Sequence, residues 1–206
     1  TLANECLFDY QVGDIDNLSK SLKRFYSFIY ESQKKKYYQS AVISYLTIVY
    51  LHLGGKGLED ELENFPIYFE DLDDEKISKF WIFSSLSKQN KTDKNQDLLK
   101  AFRSKPDNYR ETLVDALAYE SAASLIGSSS QITESTKYLE LATNIYAANN
   151  FPSKVIELRK KLGNELEQND LAKCIESYLK LYEYVVSLDD HENIAACADK
   201  LGLLYY

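Results

Sequence analysis

One stretch of helical pattern occurs twice in this chain. Residues 136–150 read TKYLELATNIYAANN and residues 176–190 read ESYLKLYEYVVSLDD. Set 40 positions apart, Tyr138 falls on Tyr178, Leu141 on Leu181 and Ile145 on Val185. Each copy leads into a second helical stretch that carries a Leu-Gly pair, Leu162-Gly163 in one and Leu201-Gly202 in the other. A repeat of this length built from two helices marks a helical-repeat array. Such a unit cannot bury its apolar face alone; it stacks on its neighbours and leaves a long surface free for another protein. The expectation is an all-α fold, an α-solenoid of antiparallel helix pairs, serving as a scaffold or adaptor and not as an enzyme.

The rest of the chain follows the same periodicity. About eleven helices are expected, near 2–12, 15–31, 37–53, 57–64, 73–86, 96–103, 107–126, 132–148, 152–167, 170–187 and 191–206. In the second, Leu18, Leu22, Phe25, Tyr26 and Ile29 recur at helical spacing. Gly54-Gly55 stops the third. Asp73 and Asp74 stand where an N-cap belongs, and Pro152 suits a first helical turn, which needs no N–H. The polar run 87–95 and Gly127 with its three following serines read as loops. The segment 104–108 divides an irregular region, 1–105, from the repeats of 106–206. The pattern is still running at Tyr205-Tyr206, so the array is expected to continue beyond them.

Charge narrows the partner classes. A net charge of −8 argues against general nucleic-acid binding, which needs Lys and Arg to neutralise phosphates. The apolar run 41–53 is interrupted by Ser44, Thr47 and His52 and is too short to span a bilayer. Cys6, Cys174 and Cys197 form no CxxC pair and sit in apolar helical patterns, as buried thiols of a reducing compartment do. A cytoplasmic protein, at most peripheral at membranes, is the simplest account.

The catalytic inventory is thin. His52 and His191 are far apart and complete no nucleophile–base set. The three cysteines lack zinc-ligand spacing, and Gly54-Gly55-Lys56-Gly57 lacks the spacing of a phosphate loop. No catalytic residue, metal or cofactor is expected. Two charge clusters remain. Glu70, Asp71, Asp73, Asp74 and Glu75 form an acidic turn, either a capped helix start in a solvated loop or a dock for a basic partner. Lys154, Arg159, Lys160 and Lys161 form a basic cluster in which Lys154 and Lys161 share a face. It is either a solvated stripe or a surface for an acidic helix bundle.

Two sets of motifs carry a family resemblance. ALAYESAASLI, STKYLELATNIYAANNFPSKVIE and LEQNDLAKCIESYLKLYEYVVSLDD, spanning residues 116–198, resemble the tetratricopeptide-like helix pairs of the soluble NSF attachment proteins (SNAPs). KYYQSAVISYLTIVYLHLG, LENFPIYFEDLDDEKISKFWIF and DLLKAF resemble the C-terminal part of the same family, the Phe-Pro joint being the more specific feature. Here that part precedes the repeats, whereas in the family it follows them. The resemblance implies a partner of the SNARE helical-bundle type in vesicle traffic, met by a basic concave surface to which Lys154, Arg159, Lys160 and Lys161 correspond by location. The acidic loop that the family offers to its ATPase is matched here by the neutral-to-basic residues 87–91, and the family's terminal leucine has no counterpart at Tyr206. Recruitment of an ATPase is therefore not expected. The alternative is a regulatory repeat domain that senses a peptide or small ligand in its groove, with residues such as Asn144 or Tyr184 facing it.

Overall fold

The computed structural model describes residues 1–68, 72–87, 96–98, 100–102, 105–107, 109–126 and 132–206. Among them there is no strand, and the fold is all-α. The helices are α1 (Leu2–Gln11), α2 (Ile15–Glu31), α3 (Tyr38–Leu53), α4 (Leu58–Asn64), α5 (Asp74–Ser87), α6 (Leu113–Ile126), α7 (Ile132–Ala148), α8 (Pro152–Glu167), α9 (Leu171–Ser187) and α10 (His191–Tyr205). Residues 96–98 and 100–102 are also helical. Glu70, Asp71, the loop 88–95, Arg103, Ser104, Asn108 and the Gly127 segment lie outside the described residues. No described helix is long and apolar enough to cross a membrane. The chain divides into two compact units, Thr1–Val114 and Asp115–Tyr206, so the division falls in the first turn of α6, whereas the sequence suggested 105/106.

In the first unit α3 is the central element. Its sequence, YQSAVISYLTIVYLHL, has no Asp, Glu, Lys or Arg, and a helix apolar on most sides must be enclosed. Accordingly α1, α2, α4 and α5 all pack on it. Tyr38, Val42, Tyr45, Leu46 and Val49 line one face, and Thr47 and Ile48 are buried on other sides of the helix, so burial is not confined to one stripe. α2 is amphipathic instead and buries Leu18, Ser21, Phe25 and Ile29. Gly54, at φ +62°, closes α3 in the left-handed conformation that glycine adopts without strain. The Phe-Pro joint has a packing role: Phe65 is buried, with its ring 5.1 Å from Tyr26 and 5.6 Å from Tyr45 between centroids.

The second unit is built from sequence neighbours. α7 packs on α8, α8 on α9 and α9 on α10. The three-residue connections 149–151, 168–170 and 188–190 reverse the chain, so consecutive helices are antiparallel. Asp170 and Asp190 cap α9 and α10 by accepting from the backbone N–H of Lys173 and Asn193, both at 3.1 Å. α6 joins through the Ser135 hydroxyl, which donates to the Ala123 carbonyl at 3.1 Å, and through stacked rings of Tyr119 and Tyr138.

The structural period is 39 residues, the spacing of the two Leu-Gly pairs, and not the 40 that sets Tyr138 on Tyr178. α7 and α9 begin at Ile132 and Leu171, and α8 and α10 at Pro152 and His191, each pair 39 apart. Asn150 and Asp189, 39 apart, both take positive φ in their turns, at 59° and 56°. Buried Ser135, Leu139, Ala142 and Tyr146 correspond to buried Cys174, Tyr178, Leu181 and Val185. A shift of one residue turns a helix by about 100°, so Tyr178 occupies the place of Leu139, while Tyr138 is only half-buried. Aromatic identity misled the match because buried positions accept Tyr, Leu or Val alike.

Gly163 shows why that register matters. A Cβ there would lie 2.4 Å from Cε2 of Tyr178, so only glycine lets α8 and α9 approach this closely. The Tyr178 hydroxyl donates to Asn164 Oδ1 at 2.8 Å. Gly202 occupies the equivalent place in α10, and a Cβ there would meet nothing within 4 Å.

Candidate functional site

The four cations of the expected basic face stand on α8 and reach three different surroundings. Lys154 Nζ donates to Glu120 at 3.0 Å and also pairs with Glu157 at 3.2 Å. Burial lowers its affinity for a proton, but the two carboxylates more than offset this, and its pKa is raised. Lys161 Nζ donates to Ser124 Oγ at 2.9 Å, so Lys154 and Lys161 do share a face, and that face is turned to α6. Lys160 Nζ donates to Asn193 Oδ1 of α10 at 2.7 Å. The ammonium groups of all three therefore bind the unit's own helices. No pairing rule places Glu120, Ser124 and Asn193 opposite them from sequence alone, since the partners lie 33 to 37 positions away.

Arg159 differs. Its Nε is buried without a hydrogen-bond partner, and burial depresses the guanidinium's pKa against the opposing pull of Glu140. It lines a recess of about 150 Å³ between α7, α8 and α9, where Leu162 and Leu166 supply the apolar surface and Glu140 stands on α7. The α9 side carries Lys173, Ser177 and Lys180. Ser177 is 4% exposed, and its hydroxyl also lacks a partner. Two buried polar groups without partners in one recess are costly unless something completes them. The rim lysines are already compensated on their own helix, Lys173 by Asp170 at 3.1 Å and Lys180 by Glu176 at 2.6 Å. Arg159 is thus the cation with donors to spare, and its planar fork suits a carboxylate.

Ser177 was not singled out in the sequence, although a signal existed. It is a hydroxyl on the stripe formed by Cys174, Tyr178 and Leu181, where an apolar residue would ordinarily sit. Asn144 is exposed and Tyr184 is half-buried near Arg159, whose charge opposes the burial that raises the tyrosine's pKa.

The described part of the acidic turn serves α5. Asp73 accepts from the Lys76 backbone N–H at 2.8 Å and pairs with the Lys76 ammonium, which holds its carboxyl below the usual range. Glu75 pairs with Lys79, itself buried and 5.2 Å from the Tyr109 ring centroid. Asp74 is exposed in the first turn. Asp71 lies outside the described residues. No cluster of three or more metal-ligating side chains occurs among the described residues.

No protein-family model matches this chain, and neither the curated proteins nor the solved structures contain a match to it.

Proposed function

We propose that this chain is a non-catalytic protein-interaction module whose helix-pair array takes an acidic segment of another protein against the α7–α8–α9 recess. The observation that carries this reading is the pair of unpartnered buried groups, Arg159 Nε and Ser177 Oγ, in one recess. A carboxylate side chain or chain terminus would accept from both. Leu162 and Leu166 offer the apolar contact that a peptide side chain needs beside its charge. A SNARE-type helical bundle is the partner that the family resemblance suggests, and its acidic outer positions fit the same chemistry.

The test is direct binding, by fluorescence anisotropy, of a preassembled SNARE bundle and of a library of acidic peptides. Arg159→Ala is expected to weaken binding about tenfold, the worth of one charge-assisted hydrogen-bonded contact. Lys161→Glu, which alters a cation already held by Ser124, is expected to leave affinity within about twofold. Equal loss in both variants would point to a general basic surface and reject the recess. Failure of every acidic probe to bind would reject the reading altogether.

A further inference from the structure

The first unit holds a second polar recess that the interaction reading does not use. It lies where α2 hands over to α3, has a volume of about 530 Å³, and is lined by Lys34, Lys35, Lys36, Tyr38, Gln39 and Tyr68, with Gln33 at its edge. That volume is in the range of small-molecule sites. In a chain of net charge −8 the lining is one-sided: three lysines, and no carboxylate among the described residues. The three lysines are exposed and form no ion pair with a described carboxylate.

Lysines on a loop are ordinarily a solvated surface, so the floor decides the matter. Tyr38 is 1% exposed and Gln39 8% exposed, yet the Tyr38 hydroxyl and Gln39 Oε1 have no hydrogen-bond partner. A buried hydroxyl and a buried amide oxygen left open in one recess are groups that a ligand completes. They stand in the first turn of α3, a helix of 16 residues that no side chain caps. The Tyr38 N–H itself donates to the Lys35 carbonyl at 3.0 Å, and the helix dipole at this end favours an anion.

We propose that this recess binds the phosphate ester of a small hydroxylated molecule. The lysines and the α3 N-terminus take the phosphate. The Tyr38 hydroxyl donates to a phosphate or ring oxygen, and Gln39 Oε1 accepts from a ligand hydroxyl. Tyr68, half exposed at the mouth, lies against the body of the ligand. Gln39 Oε1, deeper than the lysines, favours a ligand that carries an alcohol hydroxyl beside its phosphate, since the ionised phosphate oxygens belong with the lysines.

Titration calorimetry and amide NMR shifts with myo-inositol 1,4,5-trisphosphate, inorganic phosphate and myo-inositol test this directly. The trisphosphate is expected to bind with a Kd of about 10–100 µM, with shifts centred on residues 33–40. Inorganic phosphate is expected to bind at least about tenfold more weakly and myo-inositol not measurably. Replacing all three surface lysines by alanine should abolish binding without altering the circular-dichroism spectrum. Tyr38→Phe, which keeps the ring, and Gln39→Met, which keeps the shape, should each cost about three- to tenfold. Lys173→Ala with Lys180→Ala, in the other unit, should change nothing. No binding, shifts spread over lysines of both units, or binding unchanged in the triple-alanine variant would overturn the proposal. Equal affinity for inorganic phosphate would overturn the role given to Gln39.

Discussion

α3 and α8, both of 16 residues, bury themselves in opposite ways. α3 carries no Asp, Glu, Lys or Arg and is enclosed by four other helices. α8, PSKVIELRKKLGNELE, is heavily charged and buries one stripe of Val155, Leu158, Leu162, Gly163 and Leu166 between its neighbours in sequence. The first arrangement concentrates stability in a single element. The second spreads it over interfaces and keeps charged side chains at their edges, which is how Arg159 comes to stand in a recess. The contrast teaches that charge content along a helix decides how many neighbours it can have, and therefore whether it builds a centre or a stack.

The comparison breaks most sharply at the centre. Leu46→Ala in α3 removes a fully buried side chain enclosed on all sides and is expected to cost about 2–5 kcal/mol. The reporter is Cys6, a buried thiol that burial and the nearby Asp9 and Glu5 push up to about 11, and hence poorly reactive while the unit is folded. Its labelling in urea should begin at clearly lower denaturant in the variant. An unchanged midpoint would show that α3 is not the centre.

The next largest effect lies in the stack. Gly163→Ala places a methyl against the Tyr178 ring and is expected to destabilise by about 1–3 kcal/mol, read from the exposure of Cys174 and Cys197 in urea. Gly202→Ala tests the equivalent place in the other copy, where no atom opposes the new methyl. There the helix preference of alanine should prevail and stabilise by about 0.5 kcal/mol. Opposite signs would show that the Tyr178 ring, and not the glycine's place in the repeat, sets the cost at Gly163; equal signs would reject that.

The smallest effect concerns pH. The N-cap carboxyls of Asp170 and Asp190 are held below their ordinary range by hydrogen bonds from Lys173 and Asn193. A lowered folded pKa means that the contribution is complete above the unfolded value, about 4, and fades as pH falls through the folded value. The melting temperature of the second unit should therefore drop modestly on acidification below that pH. Asn retains the cap without the charge, so the double variant Asp170→Asn, Asp190→Asn should show a shallower acid limb. An unaltered limb would assign the acid sensitivity elsewhere.

Helix limits were legible because their signals are local. Asp73 caps α5 as its position before the helix suggests, Gly54 and Pro152 punctuate as their backbone chemistry requires, and most expected helices agree with the observed ones within a residue or two; α6 is the exception, expected from 107 and beginning at Leu113. The basic cluster was legible as residues on one helix, and Lys154 and Lys161 do share a face. Their availability was not legible. That depended on Glu120 and Ser124, which sequence separates from them by more than 30 positions. The burial of Ser177 and Arg159 likewise follows from the packing of α7 and α9 on α8.

By itself, the order of amino acids determined that this chain is mostly helical over its described length, where most of its helices begin and end, and that its final helices form a repeated pair. Each of these follows from contacts within a few residues, where the periodicity of the helix sets the geometry. Only the tertiary structure decided between the 40-residue spacing of the tyrosines and the 39-residue spacing of the Leu-Gly pairs, the central place of α3, the partners that occupy three of the four cations, and the open polar groups at Arg159, Ser177, Tyr38 and Gln39. These depend on which helix faces which, and a small rotation of one helix on another exchanges a satisfied side chain for an unsatisfied one.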